Sequence, residues 1–151
     1  MGATHGCMGA TDHNLIMGAT DLGTGSDTVL SQIAAEEIGV SVEQMIPLSS
    51  DTDVTPFDVG AYASSTTYLS GMAVKKTAAL VRHQILEVAA QMSGTPADAL
   101  TIEDGVVKGA AREITISEIA LRTLYGEDQH QIIASASHIT EKSPPPFAAH
   151  F

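Results

Sequence analysis

The chain has a single cysteine, Cys7, among its 151 residues. One thiol cannot close an internal disulfide, so a secreted, disulfide-stapled framework is excluded. Basic residues are scarce as well: 7 Lys and Arg stand against 18 Asp and Glu, a net charge of −11. So acidic a surface repels a phosphate backbone and an anionic bilayer, which sets nucleic acid and membrane aside as partners. No apolar run reaches the ~20 residues that span a bilayer. The opening residues hold His5 and His13 but no basic cluster, unlike a signal peptide. The expectation from these absences is a soluble cytoplasmic protein.

What is present is globular in character. Hydrophobic residues make up 44% and charged residues 17%, enough apolar content for one domain around one core. Both ends read as cut or scrambled. Met-Gly-Ala-Thr begins at Met1, again at Met8 and again at Met17, and the chain closes on Pro144-Pro145-Pro146-Phe147 and a few residues more. A natural flexible tail is the plainer alternative at the front.

The pattern in between predicts an α+β fold. A short strand is expected over residues 14–19, weakened by Gly18. A glycine-rich turn follows, Asp21-Leu22-Gly23-Thr24-Gly25-Ser26-Asp27, with Ser26 or Asp27 placed to cap a helix over 28–38. Val29, Leu30, Ile33, Ala34 and Ile38 share one face at helical spacing, and Gly39 suits the left-handed stop. Glu36 and Glu37 oppose the helix dipole there, so propensity alone does not account for this helix. A strand is expected at 45–48, then an irregular stretch over 49–60. The longest helix is predicted from Tyr62 or Ser65 to Met92. Its apolar stripe is Val74, Ala78, Val81, Ile85, Val88 and Met92. Asp104-Gly105 between apolar runs signals a hairpin. A strand at 114–116, a helix over 118–125 capped by Ser117, and a last strand at 131–136 complete the reading. No βαβ alternation is regular enough for a doubly wound sheet.

Three segments carry candidate chemistry. In the turn from Gly23 to Asp27, glycines let a backbone approach a ligand and the following helix start favours an anion. It lacks the third glycine of a dinucleotide fingerprint and the lysine of a P-loop, and a plain turn with a helix cap is the ordinary alternative. Asp51-Thr52-Asp53 pairs carboxylates but lacks the later glycine and glutamate of a calcium loop, so turn formation is its expected use. Gly60-Ala61-Tyr62-Ala63-Ser64-Ser65-Thr66-Thr67 opens the longest helix with small and hydroxyl-bearing residues, a second polar helix entrance or simply a helix cap. His5, Cys7, Asp12 and His13 match no standard zinc spacing. His83, His130, His138 and His150 are dispersed, and no Ser-His-Asp arrangement can be assembled.

Residues 18–32, with Gly-Ala-Thr-Asp-Leu-Gly-Thr-Gly-Ser-Asp at their head, resemble the molybdenum-binding subunit of the xanthine dehydrogenase/aldehyde oxidase family. So do residues 51–64, Asp-Thr-Asp-Val-Thr-Pro-Phe-Asp-Val-Gly-Ala-Tyr-Ala-Ser. The resemblance covers roughly residues 15–151 and leaves 1–14 unmatched, a disordered or artefactual start on this reading. It implies part of a molybdopterin-binding domain, too short to catalyse by itself. The family hydroxylates purines, related heterocycles and aldehydes, with water as the oxygen source. The metal is held by the pterin dithiolene and not by side chains. The pterin is carried as a cytosine dinucleotide in bacterial members, with FAD and 2Fe-2S clusters in partner domains or subunits. On this resemblance the cofactor-binding residues are Gly23, Thr24, Gly25, Ser26 and Asp27 together with Ala61, Tyr62, Ala63, Ser64, Ser65 and Thr66. The implied partners are the remainder of the molybdenum subunit, FAD and iron–sulfur subunits and a small heterocyclic substrate. Many relatives carry Gln at the place of Thr24, where it reaches the ligands of the metal; the shorter Thr implies a water or another contact. The family's catalytic glutamate lies downstream, so no general base is assigned. The other readings are a self-standing, non-catalytic binding or assembly module with the same fold, or a nicotinate- or aromatic acyl-CoA-type member of the superfamily.

Overall fold

The computed structural model describes residues 2–8 and 12–141, the first of these stretches as backbone only. The closing Pro144-Pro145-Pro146-Phe147 stretch lies outside them, as do the side chains of His5 and Cys7.

A four-stranded sheet holds the third, second, first and seventh strands of the chain in that order. Strands β1 (Gly2–Met8) and β2 (His13–Met17) pair antiparallel, and β7 (Ile133–His138) adds to the other edge of β1, also antiparallel. Gly2–Met8, read from the sequence as outside the matched fold, therefore runs through the interior of this sheet. Strand β3 (Met45–Leu48) pairs parallel to β2, so β2, helix α1 (Ser26–Ile38) and β3 form one βαβ unit within the expected α+β fold.

Along β2 burial alternates: His13, Leu15 and Met17 are buried, while Asn14 and Ile16 are half-buried. The buried face packs against α1 and α2 (Gly71–Ser93). On α2 the stripe of Val74, Ala78, Val81, Ile85 and Val88 is buried as its spacing predicts, and Met92 is partly buried beside it. On α1, Leu30, Ala34 and Ile38 enter the core, whereas Val29 and Ile33 stay half-buried at its rim. The unfavourable Glu36-Glu37 end of α1 finds its compensation in tertiary structure. The Arg82 guanidinium donates to the carbonyl oxygens of Ile38 at 3.0 Å and Glu37 at 3.4 Å, placing a cation where the helix dipole is negative.

A second sheet is the antiparallel meander β4 (Thr101–Glu103), β5 (Val106–Lys108) and β6 (Ile114–Thr115). Its first turn is Asp104-Gly105, both residues with positive φ (50° and 74°), as the sequence signal predicts. Helix α3 (Ile116–Tyr125) starts earlier than expected. Thr115, not Ser117, is its cap: Thr115 Oγ1 accepts from the Glu118 amide and the Glu118 carboxylate accepts from the Thr115 amide. A reciprocal capping box satisfies two orphan amides where Ser117 could satisfy one. The last strand is also displaced, to Ile133–His138. Among the described residues no helix is long and apolar enough to cross a membrane.

His13 is 2% exposed, and neither ring nitrogen has a hydrogen-bond partner among the described residues. Burial lowers its pKa below 6.5, partly offset by Asp12. A histidine whose folded pKa is depressed stabilises the fold above its unfolded pKa, and that stability is lost as pH falls. The expected result is a melting temperature that declines as the pH drops below about 6.5. In His13→Leu that part of the slope should vanish, and stability at neutral pH should rise because an unsatisfied polar ring is gone. An unchanged slope in the variant would assign the acid sensitivity to other groups.

Candidate functional site

The glycine-rich turn leaves β2 at its C-terminal end and feeds α1. The sequence suggests that Ser26 or Asp27 caps a helix beginning at residue 28; instead α1 begins at Ser26, and Gly25 holds the capping position in left-handed conformation, φ 74°, ψ 19°. No side chain of the expected pair does the capping. Asp21 does it from outside. Its Oδ1 accepts from the amides of Gly23 (2.8 Å), Thr24 (2.9 Å) and Gly25 (3.1 Å), and its Oδ2 from that of Asp27 (3.4 Å). A carboxylate has more acceptor positions than a serine hydroxyl, so it can gather a run of amides that no single hydroxyl could. Burial pushes the acidity of Asp21 one way, but the amides of Gly23, Asp27, Gly25 and Thr24 outweigh it and hold the carboxyl below its ordinary pKa.

The irregular stretch over 49–60 is fastened at three places. Ser49 donates its hydroxyl to Asp27 Oδ2 at 3.1 Å. Asp58 accepts from the Ser70 hydroxyl at 3.0 Å and from the Gly60 amide at 2.9 Å. Pro56 and Asp58 press against Gly18: a Cβ built on Gly18 would lie 2.2 Å from the Pro56 carbonyl oxygen. Asp51 acts as the turn former expected of it. Its side chain accepts from the Asp53 amide, and its carbonyl from Thr55. Among the described residues no cluster of His, Cys, Asp and Glu could hold a metal ion.

Beyond Gly60 the backbone makes a tight strap. Ala63 and Ser64 are both left-handed, at φ 50° and 57°, a conformation that costs non-glycine residues about 1–3 kcal/mol each and clusters at functional sites. The Ser65 amide and hydroxyl both donate to the Tyr62 carbonyl. The predicted serine or threonine cap of the long helix is therefore absent: Ser65 spends its hydroxyl on the strap, and the helix opens through a wide π turn, Thr66–Ser70, before α2 proper.

Turn and strap meet. A cavity of about 390 Å³ is lined by Thr24, Ser26 and Val29 on one side and residues 61–67 on the other. Of the residues singled out in the sequence, Thr24, Ser26, Ala61, Tyr62, Ala63, Ser64, Ser65 and Thr66 share this lining. Gly23, Gly25 and Asp27 are not part of this lining. Thr67, named in the candidate segment from Gly60 to Thr67, belongs to the lining as well; Val29 was missed, because helical spacing assigns it to the core. Asp21 was missed as well, although an aspartate two residues before a glycine is a known turn signal. Ser26 is 4% exposed, and among the described residues its hydroxyl has no partner; one oxygen of Asp27, Oδ1, is likewise buried and without a partner among them.

The model of the molybdopterin cofactor-binding domain family matches residues 10–151. The chain belongs to that family. As a molybdopterin cofactor-binding domain it is 38% identical, over 89% of its length, to a probable hypoxanthine oxidase of Escherichia coli. It is 36% identical, over 91%, to a putative xanthine dehydrogenase molybdenum-binding subunit of the same species. It spans 14% and 19% of the lengths of those two relatives. A nicotinate dehydrogenase component of Pseudomonas putida is 34% identical over 84% of the chain. The fold superposes on quinoline 2-oxidoreductase from Pseudomonas putida with a TM-score of 0.82, covering 93% of this chain and 19% of that one at 21% identity.

The residues present fit a molybdenum cofactor. A buried hydroxyl with no partner among the described residues is expensive unless something else bonds to it, and Ser26 is one of the residues that line the cavity. Ser64, Thr66 and Thr67 add hydroxyls on the facing side. The helix opening at Thr66 adds amides that lack partners within the helix. This is a donor-rich, uncharged lining suited to phosphate and heterocycle atoms.

Proposed function

We propose that this chain forms one wall of the cofactor site of a xanthine dehydrogenase-type molybdenum hydroxylase, one that acts on purines or related heterocycles. On this reading the chain, with β1 inside its sheet, is part of the molybdopterin-binding domain, and the cofactor is a molybdopterin cytosine dinucleotide. FAD and 2Fe-2S clusters belong to partner domains or subunits, and the assembly works in the cytoplasm. When bound, the cofactor supplies the redox chemistry of hydroxylation. The chain's own residues bind and orient: Ser26 and Thr24 from the turn, Ser64, Thr66 and Thr67 from the strap, with Val29 as an apolar side of the cavity. None is placed as a general base. The observation that carries the reading is the convergence of two segments, distant in sequence, on one cavity whose lining includes Ser26, a buried serine with no partner for its hydroxyl among the described residues. The names of the relatives, which include a hypoxanthine oxidase and a xanthine dehydrogenase subunit, favour a purine over nicotinate as substrate.

Ser26→Ala tests it. Removing a buried, unsatisfied hydroxyl should stabilise the chain by about 1 kcal/mol, read from the denaturant midpoint. In a complete subunit carrying this segment, molybdenum and nucleotide retained after gel filtration should fall severalfold. A more stable variant that keeps its full cofactor would remove Ser26 from the site and with it the main support for the reading.

A further inference from the structure

The amides of a glycine turn at a helix start are what an anion is expected to use, and here they are already taken. Those of Gly23, Thr24, Gly25 and Asp27 all donate to one carboxylate, that of Asp21, at 2.8–3.4 Å. The Thr24 hydroxyl lies 3.5 Å from the same oxygen. A phosphate brought to these amides would have to displace a tethered anion and stand beside it, with Asp27 as a second carboxylate at hand. Among the described residues the facing strap has no such internal anion. Its two left-handed residues and its hydroxyls border the cavity, and the neighbouring carboxylate of Asp58 is held by Ser70 and Gly60.

We infer that Asp21 is the positioning residue of this site: it fills the amide cradle of the glycine turn from within, fixes Thr24 and Ser26 on the cavity lining, and leaves phosphate binding to the strap. The role of the strap rests on the cofactor reading above; the role of Asp21 in the turn does not. The turn thus contributes shape and two hydroxyls to the site, and the amides of Gly23, Thr24, Gly25 and Asp27 are not among its donors.

The experiment uses amide NMR of the full chain. In an acid titration without ligand, the amides of Gly23, Thr24, Gly25 and Asp27 should move together in one transition. That transition should be absent in Asp21→Asn and persist in Asp27→Asn, which separates the two neighbouring carboxylates. On addition of inorganic pyrophosphate, shifts are expected at Ser64, Ser65, Thr66 and Thr67 and not at Gly23, Thr24 or Gly25. In Asp21→Ala the freed cradle should respond, so that pyrophosphate now moves the turn amides too. Pyrophosphate shifts at Gly23, Thr24 and Gly25 in the unaltered chain would overturn the inference while keeping the cofactor reading. So would four amides that titrate separately or ignore Asp21→Asn. A strap silent to pyrophosphate, with the common titration intact, would leave Asp21 as the holder of the turn and sink the cofactor reading instead. If Asp21→Ala fails to fold, the titration and the pyrophosphate map of the unaltered chain decide the matter.

Discussion

Gly18→Ala is expected to destabilise the chain by about 3 kcal/mol, the upper end of what an inserted methyl costs where it cannot be accommodated. The new Cβ would lie 2.2 Å from the Pro56 carbonyl oxygen, 2.8 Å from Asp58 Cβ and 3.0 Å from the Asp58 amide. Two of the three obstacles are backbone, so no side-chain rotation relieves them. The loop has to lift. Asp58 then loses its reach to Ser70, and the strap beyond Gly60 loses its anchor. The midpoint of urea unfolding should drop, and the amides of residues 56–60 should exchange with solvent faster than in the unaltered chain. A variant with an unchanged midpoint and unchanged protection would show that the loop does not rest on Gly18.

Gly25→Val should act on the site more than on the fold. A Cβ at Gly25 meets nothing within 4 Å, so the effect is conformational and not a clash. At φ 74° a β-branched residue is strained by about 1–3 kcal/mol, and the relief is to rotate that φ. Gly25 stands between Thr24 and Ser26, both on the cavity lining, so the rotation moves both. Leu30, Ala34 and Ile38 hold α1 in the core regardless. In a complete subunit carrying this segment, molybdenum and nucleotide content should fall about tenfold, since roughly 1.4 kcal/mol corresponds to a factor of ten, while far-UV signal and subunit assembly persist. Full cofactor content would make this turn an ordinary helix start.

The parts of the molecule that were legible in the sequence are those governed by periodicity. The stripe of α2 and the Asp104-Gly105 hairpin are set by spacing and by turn chemistry within a few residues, and they fall where expected. What was hidden depends on partners far along the chain. Arg82 makes the Glu36-Glu37 helix end tolerable from more than forty positions away, and no local rule foresees it. Gly18 looked like a flaw in a strand; it is the one residue small enough for Pro56 to approach. The caps were misplaced for a similar reason. Asp21 and Thr115 outcompete Ser26 and Ser117 because each joins several groups at once, and the number of bonds a side chain can gather shows only in three dimensions. The meeting of turn and strap around one cavity follows from the resemblance to a family, not from any pattern in the residues themselves.

The place of β1 has a consequence for the order of assembly. Strands β2 and β3 with α1 between them are neighbours in sequence, and the strap follows β3 after one loop, so every closure that builds the wall of the cavity is short. The edge between β1 and β7 is different: Gly2 stands opposite His138 and Cys7 opposite Ile133. Long closures are entropically dearer, by about 0.6 kcal/mol for each doubling of the loop, and contacts of this range form slowly. A nascent chain will thus have β2, α1, the strap and much of α2 in place while β1 still lacks its second neighbour. Until β7 emerges, that edge of the sheet presents open backbone hydrogen-bonding groups, and the interval between synthesis of the cavity wall and arrival of β7 is when the chain is most exposed to wrong pairing.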